Sequence, residues 1–106
     1  MIFAIDVGNT SIVVGCIDQS KTYFSTRLVT DYQKSATEYA LLFRNILELH
    51  SLKLADIEGS AFSSVVPPID RILRTALQSL FGSTPLEINS RTDHGLIIDI
   101  DSPKQL

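Results

Sequence analysis

Tryptophan is absent from this 106-residue chain, and cysteine and methionine occur once each. No apolar run approaches the roughly 18 residues that a membrane-spanning helix requires. A lone Cys16 cannot close an intrachain disulfide, so apolar packing must hold the core, and such cysteine usage points to a reducing, cytoplasmic compartment. Positive charge is the scarcer sign: 9 Lys and Arg stand against 12 Asp and Glu, a net charge of −3, with no basic cluster. Neither nucleic acid nor an anionic membrane is therefore an expected partner. Met1-Ile2-Phe3-Ala4-Ile5 runs straight into Asp6 without the basic head of a signal peptide, which disfavours secretion. His50 and His94 stand at no metal-ligand spacing, and neither is assigned a role.

What the chain does have, 44% hydrophobic and 20% charged residues, is the composition of one soluble globular domain and excludes a multidomain enzyme. Ile2 to Val7 is apolar on both parities, as in a strand covered on both faces, and stops at the turn-favouring pair Gly8-Asn9. A second strand runs through Ile12-Val13-Val14 to Cys16-Ile17 and ends at Asp18-Gln19-Ser20. The third, Tyr23 to Val29, alternates, with Tyr23, Ser25 and Arg27 on one side and Phe24, Thr26 and Leu28 on the other. These three make an antiparallel meander.

Helical spacing follows. Ser35-Ala36-Thr37-Glu38 has the pattern of a capping box, after which Tyr39, Leu42, Ile46 and Leu49 form the expected core stripe. Ala61 to Val66 reads as a short strand closed by Pro67-Pro68. Ile69, Ile72, Leu73, Ala76, Leu77 and Leu80 mark a second helix ending near Phe81-Gly82, and Leu86-Glu87-Ile88 a last strand. The tail from Thr92 reads as loop apart from Leu96-Ile97-Ile98. The fold class is therefore α/β: three antiparallel strands, then helix, strand, helix, strand, in a mixed sheet with helices on its faces. This order resembles the ribonuclease H-like half-domain that the actin, sugar-kinase and chaperone ATPase superfamily uses twice. No internal boundary is visible, so residues 1–106 read as a single N-terminal half-domain, with the second half-domain absent.

The segment that carries chemistry is Asp6-Val7-Gly8-Asn9-Thr10-Ser11, between the first two strands. Gly8 lets the backbone turn and approach phosphate oxygens, and Asn9, Thr10 and Ser11 add neutral donors. Asp6 would repel a bare phosphate, which makes sense if a hard cation such as Mg²⁺ stands between them. An ordinary hairpin turn draws on the same residue types. Reversing the chain, however, makes no demand for Thr10-Ser11, and the surrounding order of elements favours a phosphate loop.

Ile5-Asp6-Val7-Gly8-Asn9-Thr10, Arg27-Leu28-Val29-Thr30-Asp31, Thr37-Glu38-Tyr39-Ala40-Leu41-Leu42 and above all Ser63-Ser64-Val65-Val66-Pro67-Pro68 together resemble the type III pantothenate kinase family, in register along the whole chain. The resemblance implies transfer of the ATP γ-phosphate to pantothenate, the first step of coenzyme A biosynthesis. It implies Mg²⁺ with ATP, a monovalent cation (K⁺ or NH₄⁺) and a homodimer. Asp6, Val7, Gly8, Asn9, Thr10, Ser11, Ile12 and Val13 would be the ATP phosphate loop, with Asp6 oriented toward the metal-bound phosphates. The family's general base lies in a Gly-Ala-Asp-Arg segment that would begin after Leu106, so no catalytic residue is expected within the chain, which alone should be inactive. A tyrosine that contacts pantothenate in the family aligns with Ile100, which has no hydroxyl. An alternative follows from that departure: a non-catalytic, nucleotide-binding or regulatory accessory relative.

Other residues receive plainer readings. Asp99 and Asp101 belong to a solvated tail, Cys16 to buried packing, and Arg27 and Asp31 to ordering the turn before the first helix. Ser63-Ser64 sit near a strand end, where hydroxyls serve either substrate or backbone.

Overall fold

The computed structural model describes residues 1–19 and 21–88. Ser20, His94, Leu96-Ile97-Ile98, Asp99, Ile100 and Asp101 lie outside the described residues, so the expectations placed on them have no structural counterpart. Among the described residues five strands form one sheet in the order β3-β2-β1-β4-β5: β1 Ile2–Val7, β2 Ser11–Asp18, β3 Lys21–Val29, β4 Gly59–Ser64 and β5 Leu86–Glu87. β1 to β3 are the antiparallel meander, and β4 and β5 add in parallel. The apolar run of β1 thus belongs to the central strand, paired on both sides.

Two helices, α1 Ala36–Leu49 and α2 Pro67–Phe81, pack on the same face of this sheet. Phe3, Ile5 and Val7 of β1 and Ile12, Val14 and Cys16 of β2 point into that layer and meet Tyr39, Phe43, Leu73 and Leu77, with Phe3 wedged between the rings of Phe43 and Phe81. On the opposite face Ala4 and Ala61 form a smaller cluster with Ile2, Val13, Ile17 and Ile88.

Local signals explain the helix ends. Ser35 Oγ accepts from the Glu38 amide at 3.1 Å while Glu38 Oε1 accepts from the Ser35 amide at 2.7 Å, so the capping box forms as written in the sequence. Pro67 and Pro68 occupy the first turn of α2, where a missing N–H costs nothing, and Gly82 closes that helix at φ 78°, a left-handed conformation that glycine tolerates.

Three expectations need correction. The core stripe of α1 is Tyr39, Phe43, Ile46 and Leu47; Leu42 is only half-buried and Leu49 is 79% exposed. At 3.6 residues per turn Leu49 lies about 100° from the centre of that stripe, which spacing by threes and fours from Tyr39 does not reveal. β4 ends at Ser64 rather than Val66, because Ser64 Oγ accepts from the Val66 amide at 2.9 Å and turns the chain into α2. β5 stops at Glu87, although the Ile88 amide still donates to the Phe62 carbonyl at 2.9 Å. A single 3₁₀ turn at Leu54–Asp56 carries no signal in the apolar pattern.

Candidate functional site

The β1–β2 turn lies at the carboxyl end of the central strand, beside the end of parallel β4, to which it is tied by the Val65 amide donating to the Val7 carbonyl at 3.1 Å. The turn is open rather than packed shut: Asn9 and Thr10 are exposed, and Asp6, Gly8 and Ser11 are half-buried. The Gly8 amide donates to the Ser11 carbonyl at 2.8 Å. Gly8 does not use its freedom to adopt positive φ; a Cβ there would stand 3.2 Å from that same carbonyl, so the requirement at this position is close approach of two backbone segments.

Of the eight residues expected to form the loop, the structure gives different positions to two groups. Asp6, Gly8, Asn9, Thr10 and Ser11 reach the surface, at least in part. Val7 and Ile12 turn their side chains into the helix-covered core, and Val13 lies half-buried on the opposite face, in register with Asp6 on one side and Arg27 on the other. All three sit in strands paired on both sides.

Asp6 is steered by its neighbour. Ser63, 4% exposed, stands in register with Asp6 across β1 and β4, and its Oγ donates to Asp6 Oδ1 at 2.8 Å. Ser63 is thus bound to the carboxylate rather than to the backbone, whereas Ser64 serves the backbone turn. Arg27 also belongs to this neighbourhood: its Nη1 donates to Ser11 Oγ at 3.0 Å. That contact corrects the view of Arg27 as a residue of the turn before α1.

The segment after β3 grips the loop from the other side. Thr30 Oγ1 donates to the Gly8 carbonyl at 2.8 Å, the Thr30 amide to the Thr10 carbonyl at 3.0 Å, and the Tyr32 hydroxyl to the Asn9 carbonyl at 3.0 Å. Among the described residues no hydrogen bond is made by the amides of Asn9 or Thr10. Tyr39, 1% exposed in α1, anchors the gripping segment: its hydroxyl donates to the Asp31 carbonyl at 2.8 Å and accepts from the Asp31 amide at 2.9 Å. Burial raises the Tyr39 phenol above its ordinary pKa, keeping the proton that this donation needs. The Asp31 carboxylate is held below the usual range, first by the Gln33 amide and then by Lys34, so it does order the turn before α1 as its position suggested.

Sequence reasoning missed the roles of Thr30 and Tyr32. The signal for Thr30 was its parity: position 30 continues the alternation of 24, 26 and 28 just past the end of β3, and antiparallel pairing brings the end of that strand against the first turn. Tyr32 follows the strand and carries no periodic signal.

The carboxylate chemistry suits magnesium carried by a triphosphate. Among the described residues no group of three or more His, Cys, Asp or Glu side chains is placed to hold a metal. Asp6 is a hard oxygen donor of the kind that Mg²⁺ takes when phosphate and water oxygens complete its coordination. Cys16 contributes nothing here, since burial pushes its thiol up to about 12 and it remains protonated in the core.

Comparison with known proteins places the chain in a family. A family model described as type III pantothenate kinase matches residues 2–106. Three curated relatives carry that name and align with the whole chain: 34% identical in Roseiflexus sp. (strain RS-1), 37% in Bacillus cytotoxicus and 38% in Halalkalibacterium halodurans. The chain covers 42%, 40% and 42% of their lengths, so it spans about two-fifths of these relatives. The chain belongs to the type III pantothenate kinase family.

Proposed function

From that membership we propose that this chain supplies the ATP phosphate-binding half of an enzyme that phosphorylates pantothenate to 4′-phosphopantothenate. The observation that carries the reading is the exposed Gly8–Ser11 turn, with the Asn9 and Thr10 amides uncommitted beside a carboxylate that Ser63 orients. Phosphoryl transfer asks little covalent chemistry of the protein and much positioning and charge neutralisation. In this reading the turn amides and the Thr10 and Ser11 hydroxyls bind phosphate oxygens, and Asp6 is the residue that would hold Mg²⁺, directly or through water, where the ion would supply charge neutralisation. Arg27 holds Ser11 in place through its hydroxyl. The general base belongs to the part of the family fold that follows residue 106, and the pantothenate-contacting position within the chain is Ile100. The monovalent cation, K⁺ or NH₄⁺, and the homodimer belong to the same proposal.

Labelled pantothenate, Mg-ATP and K⁺ test it in two proteins: the 106-residue chain, and the chain extended through a second half-domain. The extended protein should form phosphopantothenate, with loss of rate when K⁺ and NH₄⁺ are both withheld, and the 106-residue chain should form none above background. Turnover by the short chain would refute the placement of the base. Nucleotide binding without product in the extended protein supports the alternative, an accessory relative that retains the phosphate loop, which Ile100 favours by lacking the expected hydroxyl.

A further inference from the structure

We infer that Thr30 and Tyr32 are positioning residues of the phosphate loop, acting by holding its carbonyls back so that its amides face the triphosphate. The inference rests on the function proposed above. In a trans peptide the C=O of one residue and the N–H of the next point in opposite directions. Fixing the Gly8, Asn9 and Thr10 carbonyls therefore aims the amides of Asn9, Thr10 and Ser11 the other way. All three carbonyls are fixed by one short segment, through Thr30 Oγ1, Tyr32 Oη and the Thr30 amide.

A turn whose only task is to reverse a chain has no need of this. Exposed carbonyls are satisfied by water, and a short connection between antiparallel strands is stable without side chains reaching across from beyond a third strand. Here a 6% exposed threonine and a half-exposed tyrosine are spent on three consecutive carbonyls, and their segment is itself bolted to α1 by buried Tyr39. An unheld loop could flip a peptide and present a carbonyl to the phosphates, replacing attraction with repulsion. The grip removes that conformation before the ligand arrives, so binding need not supply the ordering.

The test separates hydroxyl from packing. In the extended protein, Thr30→Val keeps the shape and deletes the donor; it should raise the KM for ATP about tenfold with kcat within about twofold, the scale of one lost hydrogen bond. Thr30→Ser, which keeps the donor, should stay within about twofold of the parent, and Tyr32→Phe should raise KM about threefold. Tyr32→Phe, at a half-exposed site, supplies the readout if Thr30→Val does not fold. In the 106-residue chain, amide-resolved NMR with Mg-ATP should shift the Asn9 and Thr10 resonances, and Tyr32→Phe should weaken that response. Unchanged KM in both donor-deleting variants overturns the inference, as does Thr30→Ser behaving like Thr30→Val. Parent Asn9 and Thr10 resonances that ignore Mg-ATP overturn the proposed function itself, and the inference with it.

Discussion

The two faces of one strand make the sharpest contrast in this molecule. On β1, Phe3, Ile5 and Val7 are large and buried beneath both helices, while Ile2, Ala4 and Asp6 look the other way and grade from apolar, through small, to charged as the strand approaches the turn. The same grading runs across the sheet, where Gly59, Ala61 and Ser63 stand in register with those three positions on β4. Alternation with period two lets a single strand hold the core with one face and prepare a site with the other. The difference teaches that the core and the candidate site fall on different parities here, so each should be open to perturbation with limited effect on the other.

Phe3→Ala should break the helix-covered side most severely. Loss of a ring wedged between Phe43 and Phe81 should cost about 3–5 kcal/mol, read as a fall in the urea midpoint at constant slope. On the other parity, Asp6→Asn should leave that midpoint nearly unchanged and lower kcat/KM of the extended protein about a hundredfold. A large stability loss from Asp6→Asn, or a mild one from Phe3→Ala, would end the separation of faces. Ser63→Ala sharpens it further, with an expected fall of about tenfold in kcat/KM as the Asp6 carboxylate loses the Ser63 hydroxyl.

A milder change on the helix side should act on stability alone: Ser35→Ala removes the cap of α1 and should cost about 1 kcal/mol with no change in KM for ATP. The smallest expected effect concerns acid. Glu87 is held below its ordinary range by its bidentate contact with Arg74, and Asp31 by the Gln33 amide and Lys34. Because both folded values lie below the unfolded ones near 4, their contribution is complete above about pH 5 and fades as pH falls through the folded values. Urea midpoints measured from pH 6 downward should therefore decline, and Glu87→Gln should flatten part of that decline.

Much of the fold was readable because its signals are local. A capping box needs only residues three apart, the left-handed Gly82 needs only its own backbone, and a strand such as β3 shows its two faces by alternation. Leu49 failed as a core residue because a helix stripe has a centre that a partner must select, and the sheet selected Phe43 and Leu47. The packing of α1 and α2 on one shared face was likewise invisible in the order of elements.

The candidate site divides along the same line. Asp6-Val7-Gly8-Asn9-Thr10 was legible as a turn carrying polar groups to the surface because residue type and turn chemistry act within a few positions. Ser63 at Asp6, Arg27 at Ser11, and Thr30 and Tyr32 on the loop carbonyls are pairings across 57, 16 and about 22 residues. Sequence by itself determined which elements form, where α1 and α2 are capped, and which turn holds the donors. Tertiary structure alone decided which way those donors face, because the direction of a peptide group is set by what grips its carbonyl, and here the grip comes from the segment that follows β3.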